Sequence, residues 1–199
     1  MDCLHCVRTC FGFTRGPNYK LNLVKEQLIS NVVLDTSNMG NDVVIVKNGH
    51  RICGTGAALA SAPIVQNKAY FEVKIQQTGI WGLGLATSDV NVSRVPLGND
   101  TESWVLRNDG TICHNNEAVF RLRETPMEGD IIGVTFDHID LKFLLNNNIV
   151  EYSVTGIRGS ELYPVLYVDE GAILDVSFAS FQYSPPPGFD RILLEKSLL

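Results

Sequence analysis

EGDIIGVTFDHIDLKFLLNN, residues 128–147, decides the fold. In DIIGVTFD (130–137), Ile132, Val134 and Phe136 fall at every second position and so share one face of an extended strand. In IDLKFLLN (139–146), Leu141, Phe143 and Leu145 do the same. Working toward the N-terminus, YFEVKI (70–75) sets Phe71, Val73 and Ile75 against Tyr70, Glu72 and Lys74, the pattern of a half-buried strand. DVVIVK (42–47), IWGLGLAT (80–87), IVEYSV (149–154), LYPVLYV (162–168) and AILDVSF (172–178) are rich in the β-branched and aromatic residues that suit a pleated surface.

Turn chemistry punctuates these runs. Asn48-Gly49 and Asp109-Gly110 supply the positive φ angles of tight hairpins, and Asn146-Asn147-Asn148 does so at greater cost. Short strands recur with no helical segment of ~10 residues between them, so the expected architecture is all-β, an antiparallel two-sheet sandwich. Gly82 and Gly84 lie on one face of their strand and Leu83 and Leu85 on the other, leaving a slot for a neighbouring aromatic ring or backbone. No internal repeat or low-complexity tract interrupts the series. Pro185-Pro186-Pro187-Gly188 ends it, and FDRILLEKSLL beyond reads as a short amphipathic helix or an edge strand.

Composition agrees with a folded chain. The 199 residues are 45% hydrophobic and 19% charged, enough apolar surface for one self-sufficient core. No apolar run approaches the ~18 residues of a spanning helix, and the start lacks the pattern of a signal peptide. Five cysteines, three of them within the first ten residues, point to a reducing compartment rather than a disulfide framework. The sequons at Asn91 and Asn99 are then chance matches, and a cytoplasmic location is expected. Arg8, Arg15, Lys20 and Lys25 outnumber Asp2 in the first 25 residues, so the body is more acidic than the overall charge of −6. An acidic body repels phosphate backbones and excludes nucleic acid as a partner, whereas a basic tail faces something anionic, such as a membrane surface.

The order of motifs resembles that of the SPRY domain family: YFEVKI, WGLGLAT, SWVLRNDGTICHNNE, EGDIIGVTFDHIDLKFLLNN, LYPVLYVDEGAILDVSF and a closing PPPGF. The resemblance spans about residues 34–189, and the preceding VVLDTSNMGNDVVIVKNGHRICGTG resembles one particular branch of that family. It implies a concanavalin-like bent sandwich at 31–189, between a cysteine-bearing N-terminal tail (1–30) and a C-terminal tail (190–199). It also implies a module without catalytic activity that recognises segments of other proteins through loops at one rim. The peptide-gripping SPRY domain and SOCS box proteins use an early-loop arginine, a tyrosine after the Gly-containing strand and a Val-Trp-Gly turn. Here those places hold Cys53-Gly54-Thr55-Gly56, Arg94-Val95-Pro96-Leu97 and Val168-Asp169-Glu170-Gly171, so their specificity for Asp/Asn-rich peptides does not transfer. Gly54, Thr55, Arg94, Val95, Pro96, Val168, Asp169 and Glu170 are the candidate partner-binding residues. Asp169 and Glu170 are expected near Arg94, in a site for a basic or mixed-charge segment; the competing reading is two carboxylates merely solvated at a turn.

Other chemistries lack their parts. Cys113 and His114 are strand neighbours that point to opposite faces, and Cys53 and His50 are separated by a hairpin end; both thiols read as structural. Asp137-His138-Ile139-Asp140 falls where the resemblance places a hairpin turn. No nucleophile elbow, phosphate-binding glycine loop or H-E-x-x-H is present, so no enzyme, cofactor or metal is expected. Cys3-x-x-Cys6 with His5 and Cys10 has zinc-compatible donors but no second ligand pair. As a helix, residues 3–13 would place Cys3, Cys6 and Cys10 on one stripe, apt for S-acylation beside Arg8 and Arg15; the alternative is a tail with incidental cysteines. The expected protein is thus a monomeric interaction module tethered to a membrane by its tail. The competing function is a lectin-like, carbohydrate-binding sandwich, for which Trp81 and Trp104 are the only stacking candidates.

Overall fold

The structure, a computed structural model, describes residues 32–157 and 161–194. These form fourteen strands and no helix: β1 (Leu34–Met39), β2 (Asp42–Val46), β3 (Arg51–Ala60), β4 (Ala69–Gln77), β5 (Ile80–Thr87), β6 (Ser103–Arg107), β7 (Thr111–His114), β8 (Glu117–Arg121), β9 (Ile131–Phe136), β10 (Asp140–Leu145), β11 (Asn148–Thr155), β12 (Leu162–Asp169), β13 (Ile173–Ser177) and β14 (Asp190–Arg191). The hairpins close as the turn residues require, with Lys47, Asn48 and Gly49 at positive φ before β3, and Asn146 and Asn147 likewise between β10 and β11. Asn115 and Asn116 close β7 onto β8 in the same way.

Two layers are joined through β3. Its first half pairs with β2 and β13, in a layer that continues through β4, β9, β10 and β11. Its second half pairs with β1 and β12, in a layer that continues through β5, β6, β7 and β8. The change of layer falls at Gly54 and Gly56, whose φ angles of +92° and +129° only glycine adopts without strain. A Cβ on Gly54 would also overlap the Asp42 carbonyl oxygen.

Between the layers lies one apolar core. Trp81, Leu83, Leu85, Leu166 and Val168 meet Ile52, Phe71, Val73, Ile132, Val134, Phe143 and Leu174, all under 2% exposed. Each such side chain contributes roughly 1.5–3 kcal/mol, whereas an exposed ion pair such as Arg123–Glu151 contributes ~0–1 kcal/mol; packing dominates. The outermost strands β8 and β11 approach through side chains, with the Phe120 and Tyr152 rings stacked at 4.7 Å. The glycine slot in β5 is filled as its pattern implies. The Tyr167 ring lies over Gly82, and the Trp104 carbonyl of β6 lies over Gly84.

Three features go beyond the sequence expectations. β4 is buried on both faces rather than half-buried: Tyr70 and Glu72 are as enclosed as Phe71 and Val73. The cause is the segment after β13. Phe181 packs edge-on against Tyr70 at 4.9 Å, and the Gln182 and Tyr183 N–H groups donate to Glu72 at 2.7 and 2.9 Å. Second, the two-residue β14 adds a parallel pairing with β4 to the antiparallel sandwich. Third, the sandwich continues past residue 189. The Gln66 side chain donates to Arg191 O and accepts from Leu193 N, and Ile192 is 5% exposed. Of the two readings of FDRILLEKSLL, the described part takes the strand. The tail cysteines Cys3, Cys6 and Cys10 lie outside the described residues.

Candidate functional site

The expected rim begins where β3 changes layer. Thr55 is exposed there, and its hydroxyl donates to Asp169 Oδ1 at 2.9 Å. The same carboxylate oxygen accepts the Glu170 N–H at 2.8 Å, and Ala172 N donates back to Asp169 O at 3.0 Å, closing the β12–β13 turn. Glu170 adopts φ +47°, with Gly171 following at +81°, and its side chain is exposed. The β4–β5 turn abuts this one: a Cβ on Gly79 would lie 2.6 Å from Ala172 N. Asp42 pairs with Thr55 across β2–β3 and is exposed beside it. Asp42 from the start of β2, and Asp169 and Glu170 from the β12–β13 turn, thus project from two neighbouring segments, and none forms an ion pair among the described residues.

The segment between β5 and β6 supplies the opposite lip. Val92 O accepts from Ala57 N at 2.7 Å, which brings residues 91–96 against the second half of β3. Asn91, Ser93, Arg94 and Pro96 are exposed at its crest, while Val90 and Leu97 are buried with Ala57, Val105, Val165 and Tyr167 on the outer face of the β12 layer. Arg107 holds the base of the segment, donating from Nε to Leu97 O at 3.0 Å and from Nη2 to Asn99 Oδ1 at 2.7 Å. The loop therefore has an exposed crest on anchored ends.

Of the candidate residues, Gly54, Thr55, Asp169 and Glu170 come together on one side of the rim. Arg94 and Pro96 crest the other, with Val95 half-buried beneath them. Arg94 forms no ion pair with Asp169 or Glu170 among the described residues: its backbone N–H donates to Asn91 O in its own turn, and its side chain has no ion-pair partner. Val168 requires a correction. It is fully buried, paired with Gly56 and Trp81 on either side, and its side chain belongs to the core. Strand alternation explains this, because Asp169 at the end of β12 faces away from Val168. The sequence reading missed Arg107 and Asp42. Arg107 gives no local signal, since its partner is a backbone carbonyl ten residues away. Asp42 was legible only as the charged start of an edge strand.

The remaining chemistry resolves into structure. The Cys113 thiol contacts Thr111 Oγ1 in the interior, while the His114 ring stacks on Trp104 at 4.5 Å. The Cys53 thiol contacts Val44 O. Asp137 Oδ1 accepts the Ile139 and Asp140 N–H groups in the β9–β10 turn, and His138 Nε2 lies 2.9 Å from Gln66 O. Trp81 and Trp104 are 1% and 4% exposed, so neither offers a face for sugar stacking. No group of three or more metal-ligating side chains occurs among the described residues.

Comparison with known proteins agrees with this fold. The family model for the SPRY domain matches residues 68–181. SPRY domain-containing protein 7 of Homo sapiens is 56% identical over 169 residues, covering 84% of this chain and 86% of that protein. The SPRY domain of human HERC1 superposes with a TM-score of 0.64 at 18% identity, over 76% of this chain and 99% of that one. The TRIM65 PSpry domain superposes with a TM-score of 0.62 at 18% identity, over 79% and 94%. At that identity the two structures establish the fold and nothing finer.

Proposed function

The chain belongs to the SPRY domain family, and we propose that it is a non-enzymatic module gripping a cation-bearing segment of a partner protein at the rim of its sandwich. The observation that carries this reading is the set of carboxylates Asp42, Asp169 and Glu170, set on anchored backbone and left without ion-pair partners. Anchoring lowers the entropy lost on binding, and a lysine or arginine entering the rim takes up charge that the domain leaves uncompensated. Arg94, on the facing lip, sets the register by repelling one end of such a segment. Across the rim the exposed contacts are polar, so complementarity governs encounter and specificity more than bulk burial does.

The test uses the full chain and its Asp42→Lys/Glu170→Lys variant, both exposed positions outside the core. Affinity capture from cell extract should lose its partners in the variant while the unfolding midpoint stays the same. An unchanged partner set with the fold intact refutes the rim. In the same reading the chain is cytoplasmic, and acylated Cys3, Cys6 and Cys10 with the neighbouring basic residues hold the module at an anionic membrane surface. Serine at all three positions should release it from the membrane fraction, and unaltered fractionation removes the tether.

A further inference from the structure

A polar groove runs along the outer face of the β13 layer, on the opposite layer from the β12–β5 outer face that the Arg94 segment covers. It has two lobes. One, of about 300 Å³, is lined by Lys47, His50 and Asp175 with Ser177 and Ser180. The other, of about 420 Å³, is lined by Lys74 and Gln76 with the same Asp175, Ser177 and Ser180. The shared residues form the ridge between the lobes.

The two carboxylates of this groove are already spent. Asp175 accepts from Arg51 Nη2 at 2.8 Å and from Lys47 Nζ at 2.9 Å. Glu72, 3% exposed, accepts from the Tyr70 hydroxyl and from two backbone N–H groups. The groups left over can donate. Lys74 is exposed and has no ion pair among the described residues. The Ser177 and Ser180 hydroxyls have no hydrogen-bond partner there, and His50 Nδ1 is buried in the groove wall without one. Lys47 spends one of its three N–H donors on Asp175. Lys47, Arg51 and Lys74 also outnumber Asp175 and Glu72, which makes this a cationic spot on an acidic chain.

A floor of unspent donors with an excess of positive charge accepts a ligand rich in acceptors. We infer that this groove binds a phosphate monoester carried on an extended polypeptide segment. A phosphate monoester offers three acceptor oxygens and ≈ −1.5 to −2 charge, which suits the two serines of the shared ridge, with Lys47 lining the lobe on one side and Lys74 the lobe on the other. The phosphate fills only part of the space, and the two lobes on either side of that ridge receive the flanking main chain. A compact headgroup or nucleotide would leave one lobe empty.

The experiment titrates the ¹⁵N-labelled full chain with four probes in turn: inorganic phosphate, a blocked Gly-phosphoserine-Gly tripeptide, adenosine monophosphate and acetate. Saturable amide shifts at His50, Ser177 and Ser180 are expected with phosphate, with tighter binding of the phosphotripeptide and no saturation by acetate. Lys74→Gln, an exposed and unpaired position, should weaken the phosphotripeptide about tenfold, the loss of one charge-assisted hydrogen bond. Asp42→Lys/Glu170→Lys should leave this binding unchanged, which separates it from the rim. Absence of saturable shifts, equal binding of acetate, tighter binding of the nucleotide than of the phosphotripeptide, or indifference to Lys74→Gln would each overturn the assignment.

Discussion

Replacing Gly82 by alanine tests the packing that sets the β5 layer. The added methyl would overlap Cε1 of Tyr167 and lie 2.7 Å from Cζ and 2.9 Å from the phenolic oxygen. Ordinary carbon contacts are ~3.5–4.0 Å, so the ring must retreat by about 1 Å. It has nowhere to go, because Tyr167 is fully buried among Ala57, Leu59, Ala86, Val90, Leu97, Val105 and Val165. Overpacking of this kind costs ~1–3 kcal/mol, and the rigid surroundings place Gly82→Ala at about 3 kcal/mol. Tyr167→Leu alone removes the ring but also a buried hydroxyl that has no hydrogen-bond partner among the described residues, so its cost is moderated to about 2 kcal/mol. In the double variant leucine vacates the place the methyl needs. The two costs should fall short of additivity by about 1–2 kcal/mol. Urea unfolding of the full chain, followed by the fluorescence of the buried Trp81 and Trp104 with the m-value held as a check, measures all three. Gly84→Ala is the control. Its methyl would overlap the Trp104 backbone carbonyl, which no side-chain change relieves, so Tyr167→Leu should not rescue it. Additivity within ~0.5 kcal/mol for the Gly82 pair would mean that the Tyr167 ring does not limit the space at Gly82.

Two further outcomes follow from the carboxylates of Glu72 and Asp175. Glu72→Gln turns one acceptor oxygen into a donor facing N–H or O–H groups, and should cost about 2 kcal/mol while speeding amide exchange at Gln182 and Tyr183; unaltered exchange there contradicts the anchoring role. For Asp175, burial alone would raise the pKa, but hydrogen bonds and charge from Arg51 and Lys47 overcome it and hold the carboxyl below its ordinary value. The ionised form therefore favours the folded state above the unfolded pKa of about 3.9, and that contribution is lost as pH falls through the folded pKa. The stability gap between wild type and Asp175→Asn should be full near about pH 6 and close in acid; a gap unchanged down to about pH 2 would exclude it.

Much of this molecule was legible because strands announce themselves locally. The period-2 runs of 70–75, 130–137 and 139–146 placed β4, β9 and β10 with inward faces that the structure retains. The glycine pair in β5 marked a close approach, although the identities of its neighbours, Tyr167 and Trp104, come from strands far along the chain. Strand alternation also separated Cys113 from His114, as the structure has it. The rim was legible in part. Motif order located its loops, but Val168 shows that naming a loop does not say which of its side chains leaves the core.

The all-β class, the hairpin turns and the acidic character of the body were readable from the chain alone, because each depends on residues one or two positions apart or on charges that can be counted. Tertiary structure alone decided the double burial of β4, the parallel β14, the Arg107 anchor and the groove beside Asp175. Those rest on groups brought together from distant segments: Glu72 meets Gln182, and Arg51 meets Asp175. No periodicity encodes such meetings, since they arise only when the layers close and buried polar groups must find partners wherever the chain returns.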